Sequence, residues 1–354
     1  MTIHSLHKTK TKRMTATTAT SNDPAAAAAK NDAITLDEEK KSESFSSSSY
    51  PSQNYRMVAL DLDGTLLGND HQMSQATVDY LRTLHKKGFI VSIATGRTAS
   101  SAIEHIDRLD LPYSEGEGFP LVSANGALGL RVLKRSTPPC SVPPSPSMDT
   151  AELFHEPVPQ NVTIKALNLA KKLGFVTNYY IGHDIYANAT TPSHFTLAKK
   201  YGDLTNIHHV YCTDDYAAAM DRGLPSKLLV LCGNDHIDTT TATLAQELKG
   251  EAHVIRGSPP WFVEVLNINV CKGFGFQKMC RSLGIKMEES ITFGDGDNDI
   301  EFIQMAGKGF AMKNARENVK VIADEVTEWT NEEDGVIRTL QRLEKEGLLH
   351  FSNN

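Results

Sequence analysis

Asp61 and Asp63 stand two places apart, directly after the apolar run Val58-Ala59-Leu60, and Gly64-Thr65 interrupts the run behind them. Residues i and i+2 of a strand point to the same side, so both carboxylates can serve one site. Two neighbouring carboxylates repel, and a hard, oxygen-loving cation such as Mg²⁺ relieves that repulsion. A lone Asp-x-Asp-Gly is equally well a turn, since Asp and Gly favour turns for backbone reasons. The functional reading depends on what the rest of the chain adds.

It adds polar groups at the ends of other apolar runs. Phe89–Ala94 runs into Thr95-Gly96-Arg97, where a hydroxyl and a free N–H meet a helix start, a natural place for a phosphate oxygen. Leu121–Ala124 runs into Asn125-Gly126-Ala127. Ser290–Gly294 delivers Asp295-Gly296-Asp297-Asn298-Asp299, three acids and an amide that a turn alone does not explain. Lys272 sits at the start of a further helix, where it could pair with a phosphate or a buried carboxylate. Asp61 and Asp295 with one backbone carbonyl could hold Mg²⁺, and Thr95 and Lys272 could hold phosphate oxygens. Asp61 could then attack phosphorus and Asp63 protonate the leaving oxygen, a carboxylate route to an acyl phosphate.

The elements that must position these groups alternate. Strands at 58–60, 89–94, 121–124, 262–266, 290–294 and 309–312 are interleaved with helices starting near Ser74, Thr98, Cys271, Phe302, Ala315 and Asp334. That rhythm predicts an α/β fold with a parallel sheet, whose ligands bind beyond the carboxyl ends of the strands. Between about 151 and 252 the pattern changes to helices at 161–173, 193–200 and 237–248 and strands at 175–181, 184–188 and 227–232, a compact α+β insert. The expected division is therefore a tail over 1–55, a core over 56–150 and 253–350, and an insert over 151–252. Residues 136–148, rich in Pro and Ser, read as a loop before the insert.

Composition narrows the class. The 354 residues are 40% apolar and 22% charged, as in a soluble globular protein, with a net charge of −7. Mild acidity with no basic cluster argues against a nucleic-acid partner. No apolar run approaches the roughly 18 residues of a membrane span. Five cysteines without a Cys-x-x-Cys pair suit a reducing compartment and offer no zinc site. The Ser-, Thr- and Ala-rich tail cannot bury a core, so it is expected to be disordered. Its basic, acid-free start is also compatible with organelle targeting; a cytoplasmic location is the expectation otherwise.

In this order, Asp61-Leu62-Asp63-Gly64-Thr65, Thr95-Gly96-Arg97, Asn125-Gly126-Ala127, Lys272-Gly273 and Gly294–Asp299 resemble the motifs of haloacid dehalogenase-superfamily phosphatases of the Cof-like subfamily. The C-terminal stretches Ala311–Ala315 and Asn331–Val336 resemble that subfamily too. The resemblance implies a Rossmann-like core with a large cap inserted between the second and third motifs. It implies Asp61 as nucleophile and Mg²⁺ ligand, Asp63 as general acid/base and backbone ligand, and Asp295 as the third protein ligand. Thr95, Gly96, Lys272, Asn298 and the Leu62 N–H would bind the phosphoryl group of a small phosphorylated metabolite. Asp299 would support the metal's waters or orient Lys272. Cap residues Asn178, Tyr179, Tyr180, His183 and Asp184 are candidates for substrate contact, though His183-Asp184 also reads as a turn. Hydrolysis of a phosphomonoester leads; a sugar phosphomutase and a catalytically silent binding protein are the alternatives, the latter opposed by all three acids being present.

Overall fold

A computed structural model describes residues 54–111, 113, 117–134, 148–205, 207–257 and 259–352. Residues 1–53 of the tail expected over 1–55, and the Pro/Ser loop up to residue 147, lie outside the described residues. Tyr55, placed at the end of that tail, belongs to the fold. It is buried, its N–H donates to the Leu348 carbonyl, and its own carbonyl accepts from His350 N–H.

In chain order the strands are β1 (Met57–Leu60), β2 (Ile90–Ala94), β3 (Phe119–Ser123), β4 (Leu128–Lys134), β5 (Met148–His155), β6 (Val176–Ile181), β7 (Asp184–Ala187), β8 (His209–Tyr211), β9 (Lys227–Leu231), β10 (Ala252–Arg256), β11 (Phe262–Asn267), β12 (Ser290–Gly294), β13 (Lys308–Ala311) and β14 (Glu325–Val326). The α-helices are α1 (Gln75–Lys86), α2 (Ala99–Leu109), α3 (Gln160–Lys172), α4 (Pro192–Thr205), α5 (Ala217–Met220), α6 (Ile237–Glu247), α7 (Lys272–Ser282), α8 (Ile300–Met305), α9 (Glu317–Ile322) and α10 (Gly335–Lys345).

The first sheet has the order β14-β13-β12-β1-β2-β3-β4-β5, parallel from β14 to β3 and antiparallel through β4 and β5. From β1 the chain moves outward to β2 and β3, and later fills the other side with β12, β13 and β14. That reversal at β1 is the switch point where an open α/β sheet offers a crevice. Alternation within β1 serves both faces. Val58 and Leu60 pack on the side of α1, α2 and α10, whereas Met57 and Ala59 meet Phe276, Met279 and Phe302 on the other. A strand buried on both faces reads as a continuous apolar run, which is why β1 and β2 stand out in the sequence.

Local chemistry sets where helices begin. The Ser74 hydroxyl accepts from Thr77 N–H at 3.0 Å to open α1, and Val78, Leu81 and Leu84 form its buried stripe. Thr98 caps α2 in the same way. Cys271 opens α7, its sulfur accepting from Phe274 N–H at 3.4 Å.

The second sheet has the order β10-β11-β9-β6-β7-β8, antiparallel except for β7 beside β8. The boundaries expected at 151 and 252 need correction. β5 completes the first sheet, so the first sheet runs on to His155. β10 and β11 belong to the second sheet, so the insert ends beyond Asn267 rather than at 252. The apolar run Phe262–Leu266 identified a strand but not its partner, which is β9 within the insert. One face of this sheet packs on α3 and α6, and the other, through Tyr180, Leu229 and Phe262, packs on Tyr201 of α4.

Candidate active site

Asp61, Thr95, Asn125 and Asp295 follow β1, β2, β3 and β12, four neighbouring parallel strands. Asp61 and Asp63 both line the crevice, but not by strand alternation. β1 ends at Leu60, and a turn closed by Leu66 and Leu67 N–H on the Leu62 carbonyl carries the two acids. Gly64 makes that turn at φ +77°, and a Cβ there would lie 2.5 Å from Asp295 Oδ2. The glycine thus lets the first acidic loop lie flat against the second.

Lys272 is buried and its ammonium is shared, 2.7 Å from Asp61 Oδ1 and 2.5 Å from Asp299 Oδ1. Asp299 Oδ2 also accepts from the Asp295 and Gly296 N–H groups, each at 3.0 Å, which folds the acidic loop around it. One oxygen from each of Asp61, Asp295 and Asp299 lies within 4.8 Å of the others. Burial pushes the Asp61 carboxyl well above its ordinary value, with Lys272 opposing and Asp299 and Asp295 adding to the rise. Burial, then the charge of Asp299, takes Asp295 up to about 7. Burial works against the Lys272 ammonium, but Asp299 and Asp61 outweigh it and raise its pKa. Three carboxylates face one ammonium. A divalent cation is the charge that balances such a set, and all-oxygen donors suit a hard ion. The residues present therefore fit a metal ion.

Asp63 is engaged elsewhere. Arg97 grips it with two hydrogen bonds, 2.7 Å from Nε and 2.5 Å from Nη2, and His71 Nδ1 lies 3.4 Å away. Burial would raise this carboxyl, but the Arg97 bonds and charge, with His71, hold it below its ordinary value.

The amino-acid patterns of known proteins now decide the family. The sequence model of the haloacid dehalogenase-like hydrolases matches residues 58–136 and 146–340. The chain belongs to that family. It resembles 5-amino-6-(5-phospho-D-ribitylamino)uracil phosphatase of Bacillus subtilis, 29% identical over 289 residues that cover 80% of this chain and 96% of that one. It also resembles the HMP-PP phosphatase of Yersinia pseudotuberculosis, 24% identical and covering 84% and 94% of the two chains. Among solved structures, a haloacid dehalogenase-like hydrolase from Bacteroides thetaiotaomicron superposes with a TM-score of 0.67 at 25% identity, covering 82% of this chain and 100% of that one. A subclass IIB sugar phosphatase shares the fold at a TM-score of 0.64 and 22% identity, over 83% and 99% of the two chains. This chain is accordingly a haloacid dehalogenase-like hydrolase of the Cof-like, phosphoric monoester hydrolase kind.

The residues that the resemblance leads one to expect on the phosphate side fall as follows. Thr95 and Gly96 line the crevice, the Thr95 hydroxyl accepting from Arg97 N–H at 3.1 Å. Asn298 lines it as well and donates to Asn125 Oδ1 at 2.9 Å. Leu62 is buried in the turn between the two acids. Of the insert's candidates, none lines the crevice. Asn178, Tyr179 and Tyr180 are buried in the second sheet, the Tyr179 hydroxyl donating to Gly223 O at 2.6 Å. Gly182 and His183 form the turn, and Asp184 opens β7 and pairs with Arg222. The insert instead presents Tyr201, Lys227, Arg256, Phe262 and Glu264 to the crevice. The sequence signal for Lys227 and Glu264 is a single charge in an otherwise apolar strand, at the start of β9 and within β11, which strand composition alone does not mark as functional.

Proposed function

We propose that this chain hydrolyses a small phosphomonoester through an aspartyl-phosphate on Asp61, with Mg²⁺ as its metal. What carries the reading is the arrangement of Asp61: a buried carboxylate at the switch point, 2.7 Å from Lys272 and beside Asp295 and Asp299. Asp61, Asp295 and the backbone at Asp63 would hold the metal, which supplies positive charge for the phosphate and offsets its repulsion from the nucleophile.

Asp61 attacks phosphorus, forming an acyl-phosphate bond while the bond to the leaving oxygen breaks. Asp63 delivers a proton to that oxygen. Water then attacks the same phosphorus, Asp63 takes the water's proton, and phosphate leaves with Asp61 restored. The ion pair with Arg97 keeps Asp63 anionic, which suits the second half. The first half requires Asp63 to leave Arg97 and acquire a proton. Lys272, fixed by Asp299, holds Asp61 in place and remains a cation beside the transferring phosphoryl group. Thr95, Gly96, Asn298 and the Leu62 N–H bind its oxygens. Asp299 acts through Lys272.

One relative is named for a phosphorylated ribitylaminouracil, and a crevice lined in part by Tyr201 and Phe262 suits a leaving group with a flat or apolar portion. The test is phosphate release from a panel of sugar phosphates and phosphorylated cofactor precursors, with and without Mg²⁺. Asp61→Asn should lower the rate at least about a thousandfold if the carboxylate is the nucleophile. Isomerised ester without free phosphate would instead establish a mutase.

A further inference from the structure

Lys227 and Glu264 form an ion pair inside the insert, Lys227 Nζ 3.1 Å from Glu264 Oε2, with Lys227 1% and Glu264 8% exposed. They come from adjacent strands, β9 and β11. A buried ion pair is a poor stabiliser, because desolvation of two charges offsets their attraction and an apolar pair of similar volume does as well. Its use lies in fixing geometry, and here the remaining bonds all cross to the core. Lys227 Nζ donates to the Gly96 carbonyl at 2.8 Å, and Glu264 Oε2 accepts from Asn125 Nδ2 at 2.6 Å. Asn125 in turn accepts from Asn298 at 2.9 Å.

The insert thus reaches two phosphate-side positions at once, Gly96 directly and Asn298 through Asn125. The turn that presents Asn125 is built for the task. Ala124 and Asn125 both take left-handed backbone, at φ +50° and +55°, which costs free energy for residues other than glycine. Gly126 follows at φ +98°, and a Cβ there would lie 2.2 Å from the Cys271 carbonyl, next to Lys272. The strained turn keeps the Asn125 amide buried between Asn298 and Glu264 with both ends satisfied.

We propose that the Lys227–Glu264 pair, acting through Asn125, is a positioning latch that sets the phosphate-binding residues Gly96 and Asn298 when the insert is seated on the core. The proposal rests on the phosphatase reading. If the insert lifts, Lys227 and Glu264 keep each other as partners and exchange only Gly96 and Asn125 for water, so seating is reversible. These are positioning residues: they act on the phosphoryl group only through Gly96 and Asn298, and phosphate binding feels their loss whatever the leaving group.

The experiment measures equilibrium binding of inorganic phosphate, in the presence of Mg²⁺, and kcat and KM on p-nitrophenyl phosphate. The proteins are the full chain, Lys227→Met/Glu264→Leu, which removes both charges together, Asn125→Ala, and the three changes combined. The latch predicts that the charge-pair variant and Asn125→Ala each weaken phosphate binding on the order of tenfold, the charge-pair variant at nearly unchanged melting temperature. It also predicts that the combined variant is little worse than either, since all act through one network. Phosphate affinity equal to wild type in folded variants overturns the latch, and so does a loss confined to KM for particular leaving groups, which would make the pair a substrate contact. A variant that fails to fold is replaced in the comparison by Asn125→Ser, for which the same weakening is required. Failure of the phosphatase reading is separate: it is the absence of Asp61-dependent hydrolysis in the unaltered chain, with phosphate binding still reporting on the latch.

Discussion

At the scale of single residues, the site is governed by charge. Lys272 is the only ammonium bonded to the cluster of Asp61, Asp295 and Asp299 among the described residues, and it is buried with them. Lys272→Met would leave Asp61 and Asp299 close together with no cation between them. Breaking a buried pair from one side costs about 3–5 kcal/mol, so urea unfolding without Mg²⁺ should reveal a loss of that order. Mg²⁺ should add more stability to the variant than to the unaltered chain, since it would replace the missing cation; a purely steric effect of the substitution would leave the two gains equal. The acids themselves were legible in the sequence, because each follows an apolar run and a strand end is a local feature. Arg97 was legible only as part of a motif; that its guanidinium would clasp Asp63 depends on two loops meeting in space. Lys227 and Glu264 were hidden for another reason, since a single charge does not break the apolar pattern of a buried strand.

At the scale of elements, α2 shows how a helix braces the site from behind. Arg97 stands just before its cap, and His105, two turns on, brings Nε2 to 3.0 Å from Arg97 Nη1. A guanidinium can only donate, so Nε2 accepts and the ring is neutral with its proton on Nδ1. Burial first, and then the charge of Arg97, lowers the His105 pKa from 6.5 to about 4. The folded state therefore binds this proton less readily than the unfolded chain does. Its contribution is complete above pH 6.5 and declines as the pH falls towards 4. The loss is on the order of 1–3 kcal/mol. Urea melts at pH 7 and pH 4.5 should show a smaller decline for His105→Gln than for the unaltered chain. Element positions were legible where one residue decides them, as with Ser74 and Thr98 at helix starts. Sheet membership was not, because the run Phe262–Leu266 specifies an extended segment while its neighbour, β9, lies more than thirty residues earlier. Short edge pieces such as β8 and β14 carry too few residues for a pattern.

At the scale of the molecule, the parallel sheet collects negative charge at one point and so links stability to a cation. A ligand that binds only the folded chain stabilises it by about 2.7 kcal/mol at a hundred times its dissociation constant. Thermal unfolding should therefore shift upward by several degrees with saturating Mg²⁺, return to baseline with a chelator, and respond much less in Asp295→Asn. No shift in the unaltered chain would count against Asp61 and Asp295 as ligands. Among the described residues no helix is long and apolar enough to cross a membrane.

Asn267, at the end of β11, donates to the Pro157 carbonyl, just past β5, at 2.9 Å. An excursion of more than a hundred residues thus begins and ends at neighbouring points, so the core is indifferent to how long or how shaped the excursion is. Those two neighbouring points act as a mount on which an insert of another length could sit, like a different lens on one camera body. The mount is small and specific: on the proposed latch, a newcomer would need a cation for the Gly96 carbonyl and an acceptor for the Asn125 amide to keep the reaction beneath it aligned.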